Sequence, residues 1–547
     1  MFRSAICLSI SVLILSCSRG PQADKVVIGK IWTGNANQPY AGCMAIAGDS
    51  IVAVGSVSEV EKWIGDKTEK IEATEGQLIV PGFIDAHTHF IDGGFGLSSV
   101  LLRDAQTPEE FIRRIRDFAK TVPAGTWITG GDWDQQNWGG KMPERTWIDS
   151  VTQNNPVWIS RLDGHMALAN TAAMKAAGID NKVKDVDGGV IVRDRKGKLV
   201  GLFKDNAQYL IGRAQPAPSK EQEDKALLAA MNYVASHGVT SIHSVYGGWE
   251  PMERARAQNK LITRIYAGTM LPNWRMLNEK IKKEGRGDAW LQFGAVKEFV
   301  DGSIGSHTAA FFKPFLDTPN DSGFFLIPPD ALYKGIKSAD SAGLHLVVHA
   351  IGDKAIHTLL NIFERVQNEN GLRDRRFKME HVQHIHPNDI PRFKTLGVIG
   401  SMQPYHAIDD GRYAEKSIGY ERTKTTYAFR SLIDAGATLA FGSDWSVAPA
   451  TPLEGIYAAV TRRTLDDKNP DGWIPEQKIS VEEALKAYTL NGAYSSFEER
   501  SKGSLEPGKK ADYVVLEKDI TTINPVEIRN VRVMRTVVGG KTVYQPN

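Results

Sequence analysis

Two histidines one residue apart, His87 and His89, follow an apolar segment and most strongly constrain how this chain folds. The segment 78–84 is apolar and punctuated by Pro81 and Gly82, a composition typical of a buried strand. Side chains at positions i and i+2 of a strand point to the same face. Both imidazoles can therefore approach one metal ion where the strand ends, since imidazole is a common ligand of zinc and similar metals.

Three further residues of ligand type, His349, His381 and Asp444, stand near the ends of short apolar runs. About one strand-plus-helix unit separates the two histidines, and about two such units separate His381 from Asp444. Polar residues at the ends of successive parallel strands are typical of the catalytic face of a β/α barrel. A single histidine of this kind is more often a core or loop residue. The shared phase predicts an α/β fold with a TIM-like (β/α)8 barrel and a metal site.

These positions resemble the amidohydrolase superfamily, which has H-x-H after strand one, a histidine after strands five and six, and an aspartate after strand eight. The chain is also similar to the branch of that superfamily that includes N-substituted formamide deformylase. The segments that carry this second resemblance are DGHMALAN (163–170), KEFVDGSIGSHTAA (297–310), HAIGD (349–353), EHVQ (380–383), SMQP (401–404) and GSDWSV (442–447).

The resemblance implies a role for Lys297, which matches a strand-four lysine that is often carbamylated and bridges two metals. The alternative for Lys297 is an ordinary salt-bridged lysine. One or two divalent metals per chain are expected, with zinc as the first choice, although iron, manganese, cobalt and nickel suit similar ligands.

The four candidate histidine ligands divide between two metal positions. His87 and His89 are expected to hold the first metal, and His349 and His381 the second. Asp444 is expected to act as a general base, because a carboxylate beside a metal can take a proton from water and return it to the leaving amine. The alternative for Asp444 is a plain metal ligand, and both roles are compatible.

Other polar or aromatic residues are weaker candidates for substrate contacts. By resemblance, His165 contacts the substrate or transition state, with an ordinary loop histidine as the alternative. Trp133 is a candidate for the pocket wall, although a tryptophan is more often a core or rim residue, and Gln403 is a candidate for a hydrogen bond to substrate. His243 lies either behind the metal ligands or in the core. Strand alternation predicts that Glu380, next to His381, points to the outside of the barrel.

The leading functional interpretation is a metal-dependent hydrolase of C–N bonds in N-acyl, N-formyl or other non-peptide amides. Cyclic amidases, esterases and phosphotriesterases of the same superfamily use similar ligands, so the ligands indicate the reaction better than the substrate. An interpretation of another class is an envelope lipoprotein that binds a small ligand or a metal without catalysis. Asp444 argues against it, because binding alone needs no base.

The domain organisation predicted from local patterns is a barrel with two additions. Residues 25–75 and 500–547 read as short strands and tight turns and predict one small β-sandwich domain built from both termini. The barrel is expected over 76–499, with 95–215 inserted after strand one over the barrel mouth, since this stretch is too long for one loop. Predicted barrel strands are 78–86, Val239–Val245, Ile262–Ala267, Ala295–Val300 and Gly397–Met402.

The N-terminus reads as an export signal rather than part of the fold. Residues 1–16 are expected to be a signal peptide, and Ile14-Leu15-Ser16-Cys17 resembles a bacterial lipobox in which Cys17 is lipidated. This predicts a cell-envelope lipoprotein, at the outer membrane if the organism is Gram-negative; an ordinary signal peptide is the alternative. The net charge of +2 and the lack of a basic run give no indication of nucleic-acid binding.

Overall fold

The computed structural model describes residues 22–546. The signal peptide predicted at 1–16 and the lipidation predicted at Cys17 therefore lie outside the described residues. Within 22–546, every helix is too short or too polar to cross a lipid bilayer.

The strands fall into three sheets of eight, six and eight strands within the described residues. In chain order they are β1 Lys25–Trp32, β2 Tyr40–Ala47, β3 Ser50–Gly55, β4 Glu69–Glu72, β5 Leu78–Pro81, β6 Phe83–Thr88, β7 Val100–Leu101, β8 Gly130–Trp133, β9 Trp158–Arg161, β10 Met166–Ala169, β11 Gly189–Arg193, β12 Leu199–Asp205, β13 Val239–Ser244, β14 Arg264–Met270, β15 Leu291–Phe299, β16 His345–Ala350, β17 Lys378–His381, β18 Ile399–Met402, β19 Thr438–Phe441, β20 Tyr513–Leu516, β21 Val533–Val538 and β22 Lys541–Tyr544.

The α-helices surround these sheets. They are α1 Val57–Val60, α2 Phe90–Gly96, α3 Pro108–Ala119, α4 Arg145–Ile148, α5 Thr171–Ala176, α6 Tyr209–Gly212, α7 Lys220–Ser236, α8 Trp249–Ala257, α9 Trp274–Glu284, α10 Pro329–Ser341, α11 Asp353–Asn370, α12 Ile390–Leu396, α13 Pro404–Asp410, α14 Ala414–Ile418, α15 Tyr420–Thr423, α16 Phe429–Asp434, α17 Pro452–Thr461, α18 Val481–Ala487 and α19 Leu490–Tyr494.

The central sheet is the predicted barrel. Its strands follow one another in the order β6 and then β13 to β19, and each paired neighbour is parallel. Strands β16, β17 and β18 are buried along their whole length, as expected for a parallel sheet covered by helices. The prediction of an α/β protein with a TIM-like barrel is confirmed.

The barrel closes between β6 and the segment that follows β19. The backbone N–H of Asp444 donates to the carbonyl oxygen of His87 over 2.8 Å, and that of His89 donates to Trp445 over 2.5 Å. Gly442 allows this approach, because a Cβ atom there would lie 2.6 Å from the backbone nitrogen of His87. The seam of the barrel is therefore formed by the residues that surround the candidate ligands.

A second eight-stranded sheet combines strands from both ends of the chain. Its order is β22-β21-β20-β5-β1-β2-β3, and β4 pairs with β1. The stretch predicted as one barrel strand at 78–86 is in fact two strands, and β5 belongs to this sheet. The break falls at Gly82, where a Cβ atom would come within 2.2 Å of the Thr240 hydroxyl.

The third sheet lies in the long connection between β6 and β13. Its order is β11-β12-β10-β9-β8-β7, and a separate apolar core that includes Phe111, Trp133 and Ile159 packs against it. The chain returns to the barrel through α7, which begins after a capping box formed by Ser219 and Gln222. Residues of this sheet form one wall of the cavity described below.

Candidate metal centre

The carboxyl ends of the barrel strands bring candidate ligands from distant parts of the sequence into one cluster. Ligand atoms of His87, His381 and Asp444 all lie within 4.8 Å of one another. Asp444 Oδ1 is 3.2 Å from His87 Nε2 and 3.0 Å from His89 Nε2. The first two histidines and the aspartate thus face a common point, as the strand argument predicts.

The remaining two candidates complete the cluster. Lys297 on β15 is fully buried, and its Nζ lies 3.5 Å from His87 Nε2. The imidazole of His349, at the end of β16, has its centre 4.5 Å from that of His381. All six residues predicted from the sequence to be ligands therefore lie together at one end of the barrel.

Hydrogen bonds set which ring nitrogen of two histidines is free. His349 Nε2 lies 3.0 Å from the carbonyl oxygen of Gly302, and a carbonyl can only accept, so Nε2 carries the proton and Nδ1 is free. His381 Nδ1 lies 2.8 Å from Gln403 Oε1, which leaves Nε2 free. Such fixed tautomers are typical of metal-binding histidines, because the second nitrogen of each ring is kept as a lone-pair donor.

His87 is held in the same manner by a buried carboxylate. Its Nδ1 donates to Glu380 Oε2 over 2.5 Å, which directs Nε2 towards Asp444. The other oxygen of Glu380 lies 3.1 Å from the ammonium of Lys378. The prediction that Glu380 points outward is wrong, since its side chain is 0% exposed and lies inside the barrel.

A left-handed backbone explains why the alternation rule fails at this point. His381 has φ 73°, so β17 turns sharply and both Glu380 and His381 face the barrel interior. Asp444 also has a left-handed backbone, with φ 61°. Such conformations cost of order 1–3 kcal/mol in residues other than glycine and are concentrated at functional sites.

The electrostatics of the cluster differ between its histidines. Burial and Lys297 lower the pKa of His87, but Glu380 and Asp444 outweigh them and raise it overall. Burial lowers the pKa of His349 and of His381 well below the usual range. Burial opposes charge on Asp444, yet the neighbouring His87 and His89 hold its pKa well below the usual range. Burial also lowers the pKa of Lys297 to about 8, so a fraction of this amine is neutral near neutral pH.

The donor set fits a divalent metal. His87, His349 and His381 each have one ring nitrogen engaged and another that is free to coordinate. Asp444 Oδ1 is buried without a hydrogen-bond donor, and it lies beside the free Nε2 of His87. Lone pairs at this separation repel unless a proton or a metal ion lies between them. Three imidazoles beside a buried carboxylate are a donor set that suits a divalent metal.

A cavity of about 1010 Å³ opens above the cluster, between the barrel and the third sheet. His165 comes from that sheet's side and lies with its ring centre 5.1 Å from that of His349. Its Nδ1 donates to Asp205 Oδ1 over 2.7 Å. Burial lowers the pKa of His165, but Asp205 and Asp163 outweigh it and raise the pKa overall.

Two residues predicted to contact substrate lie elsewhere. Trp133 is 0% exposed in the core of the third sheet, and its indole N–H donates to the carbonyl of Ile159, so its prediction as pocket wall is wrong. Gln403 is also 0% exposed and lies behind His381. Its side-chain oxygen accepts from His381 Nδ1, so the amide of Gln403 orients the imidazole and does not reach the cavity.

The floor beneath the ligands is polar. His243 Nδ1 lies 3.4 Å from Lys378 Nζ, and the carbonyl of His243 accepts from the Thr88 hydroxyl over 3.0 Å. Lys378 also donates to the carbonyl oxygen of Ala86. His243 therefore supports the strand that carries His87, rather than packing in an apolar core.

Sequence reasoning missed His406, which lines the cavity from α13. Its Nε2 is 4.0 Å from Asp444 Oδ2, and its ring lies parallel to that of His381 with centres 6.3 Å apart. The available signal was its position three residues after Gln403, on a helix that starts where β18 ends. That position is at the carboxyl end of a barrel strand, where catalytic residues concentrate.

A comparison with solved structures supports the class of protein that this geometry indicates. An uncharacterized metal-dependent hydrolase from Pyrococcus horikoshii OT3 superposes with a TM-score of 0.73 at 26% identity, covering 92% of this chain and 99% of that chain. The barrel and its cluster of histidines, lysine and aspartate define a metal-dependent hydrolase.

Sequence comparisons identify the family. The model described as the amidohydrolase family matches residues 71–544, and this chain belongs to that family. The protein LONG AFTER FAR-RED 3 of Arabidopsis thaliana is 38% identical, over 96% of this chain and 92% of that protein. The N-substituted formamide deformylase of Arthrobacter pascens is 26% identical, over 95% of this chain and 98% of that protein. The resemblance inferred from the sequence motifs is confirmed.

Proposed function

We propose that this protein hydrolyses C–N bonds of small non-peptide amides, with N-acyl and N-formyl amines as substrates. The observation that carries the proposal is the cluster of His87, His381 and Asp444 within 4.8 Å at the carboxyl end of the barrel. The similarity to a relative named for formamide deformylation supports the choice of amide substrates.

His87, His89, His349, His381, Lys297 and Asp444 would hold one or two divalent metals, for which zinc is our first choice. When bound, such a metal supplies a Lewis acid that lowers the pKa of water and polarises a carbonyl oxygen. Two metals require that Lys297 carries a carbamate, and we propose this modification. The lowered pKa of Lys297, about 8, supports it, because only the neutral amine reacts with carbon dioxide.

Asp444 is the proposed general base of the reaction. Its carboxylate is kept charged by His87 and His89, so it can accept a proton from the attacking water and later deliver it to the leaving nitrogen. His165 contributes from above. Burial lowers the pKa of His165, but Asp205 and Asp163 raise it overall and so favour the imidazolium. Nδ1–H then donates to Asp205, the ring lies over His349, and Nε2–H is available to donate to the substrate carbonyl oxygen.

Metal analysis and hydrolysis assays test this function together. Purified protein should contain tightly bound divalent metal and release amine from N-butylformamide or N-butylacetamide. Asp444→Asn should keep most of its metal and lose at least about a thousandfold in turnover, as expected for loss of a general base and of its charge. His87→Ala should lose both metal and turnover.

The matched control is Asp117→Asn, the same chemical change at an exposed position of α3. It should behave as the wild type in both measurements. Absence of bound metal after reconstitution, or near-normal turnover by Asp444→Asn, would contradict the proposal.

We also propose that the protein is exported and anchored through a lipid on Cys17. The support is the sequence of residues 1–17 alone. Mass spectrometry of the N-terminal peptide from membrane fractions tests it: a lipidated Cys17 is the expected result, and an uncleaved residue 1–20 segment in the cytoplasm would contradict it.

A further inference from the structure

The side chain of His406 is buried at the edge of the active-site cavity with an unused ring nitrogen. His406 is 8% exposed, and its Nε2 is buried without a hydrogen-bond partner. A buried nitrogen without a partner is rare in folded proteins, because its desolvation costs about 1–3 kcal/mol. The position is therefore expected to receive a polar atom from a bound molecule.

The neighbours of this nitrogen restrict what that atom is. Nε2 lies 4.0 Å from Asp444 Oδ2, which is too far for a hydrogen bond between the two groups. An atom of a bound molecule can nevertheless lie about 2.9 Å from both Nε2 and Oδ2, and its two contacts then make an angle of about 90°. That angle is about 20° smaller than the tetrahedral angle at a pyramidal nitrogen, a deviation that bent hydrogen bonds accommodate.

We propose that His406 binds the N–H of the leaving nitrogen, so that the substrates are secondary amides, which retain one N–H. This inference rests on the proposed amide hydrolysis. His406 Nε2 accepts the amide N–H, and the nitrogen lone pair then faces Asp444 Oδ2. The water oxygen bonds to the carbonyl carbon, the nitrogen lone pair takes the proton that Asp444 accepted from water, and the C–N bond then breaks with its electron pair on nitrogen. The products are a carboxylic acid and a primary amine.

Two different side chains, His406 and Asp444, make the two contacts of the leaving nitrogen. Asp444 Oδ1 faces His87 and His89, whereas Oδ2 is the oxygen on the side of His406. The ring of His406 lies parallel to that of His381, at an angle of 9°. Its position on the first turn of α13 is fixed, because its backbone N–H donates to the carbonyl of Gln403 over 3.1 Å.

A pair of substrates that differ by one methyl group tests the proposal. N-butylacetamide has the N–H, and N-butyl-N-methylacetamide lacks it. In His406→Phe, which keeps a planar ring but has no acceptor, kcat/KM for the secondary amide should fall about tenfold, the worth of one hydrogen bond. The tertiary amide should be affected much less, so the ratio of the two kcat/KM values falls by the same factor.

Three further variants control this experiment. His406→Gln retains an acceptor and should recover part of the preference for the secondary amide. His406→Leu provides a second variant without an acceptor if His406→Phe does not fold. His357→Phe, at a half-exposed site of α11, makes the same replacement away from the cavity and should leave the ratio unchanged.

The outcomes distinguish this inference from the proposed function. Equal losses on both amides, or loss of bound metal from both variants without an acceptor, would overturn the role of His406 at the leaving nitrogen. The second result would mean that Nε2 is a metal ligand. Failure of the metal-loaded wild type to hydrolyse either amide would overturn the proposed function, and the inference with it.

Discussion

Replacing Glu380 by glutamine should weaken metal binding through a residue that does not itself belong to the ligand set. Glu380 accepts from His87 Nδ1 and lies 3.1 Å from Lys378 Nζ, and both charged side chains are at most 1% exposed. Glutamine can still accept from His87, but the bond loses its charge assistance and the tautomer of His87 is held less firmly. Loss of such a partner typically lowers metal affinity about 10–100-fold.

The same substitution leaves Lys378 buried without the ion-pair partner that Glu380 provides. Breaking a buried ion pair by removing one partner costs about 3–5 kcal/mol, so the metal-free Glu380→Gln protein should unfold at a clearly lower temperature. Stability alone therefore does not reveal the effect on the metal site, and a control with an equal loss of stability is needed.

Glu498→Gln supplies that control. Glu498 and Lys502 form another buried ion pair, 2.8 Å apart with side chains 7% and 3% exposed. Zinc affinity is measured by competition with a chelator, and stability by thermal unfolding of the metal-free proteins. We expect both variants to lose stability and only Glu380→Gln to lose affinity. Equal affinities in the two variants would refute the argument that Glu380 acts through His87.

Three other predictions concern residues of the barrel and of the third sheet. Asp205→Ala should lower kcat/KM by about tenfold or more without changing metal content, because His165 loses the carboxylate that orients its ring and raises its pKa; metal loss would instead indicate a disturbed centre. For Lys297, whose pKa is about 8 when folded and about 10.5 when unfolded, the unfolded state binds more protons between these values. The metal-free wild type should therefore gain stability relative to Lys297→Met as the pH rises from about 8 to 10.5, with a slope approaching 1.4 kcal/mol per pH unit; a flat difference in denaturant titrations would contradict this. Trp133→Ala should destabilise by about 3–5 kcal/mol in urea unfolding; unchanged stability with a raised KM would restore Trp133 to the pocket wall.

The barrel and the ligand cluster could be predicted because each depends on a short local pattern. An apolar run that ends in histidine or aspartate is visible without any knowledge of its neighbours. The parallel topology then places all such ends at the same edge of the sheet. His87, His349 and Asp444 lie together for this reason, although several hundred residues of chain separate the first from the last.

The surroundings of the ligands were not predictable, because they depend on backbone angles and on tertiary contacts. The alternation rule assumes an extended strand, and the left-handed backbone at His381 breaks it. Glu380 therefore faces the interior, which no propensity scale indicates. Similarly, Gln403 and His406 both follow β18, and only the direction of α13 determines that His406 reaches the cavity while Gln403 lies behind His381.

The division of 78–88 into β5 and β6 shows a further limit. Hydrophobicity is continuous across Gly82, so a pattern read from the sequence gives one strand. The structure assigns the two halves to different sheets, since β5 pairs with β20 near the opposite end of the chain. A pairing between strands so far apart in the sequence cannot be detected from a short stretch of residues.

The sheet that combines strands from both ends of the chain also determines when its strands can pair during synthesis. Strand β5 lies between β1 and β20, and β20 is paired in turn with β21. The N-terminal strands therefore cannot complete their pairing until the C-terminal strands have been synthesised, and the sheet remains incomplete until nearly the whole polypeptide has emerged. Contacts between such distant segments form slowly, because a long loop must close first. The N-terminal strands therefore remain accessible to chaperones throughout translation.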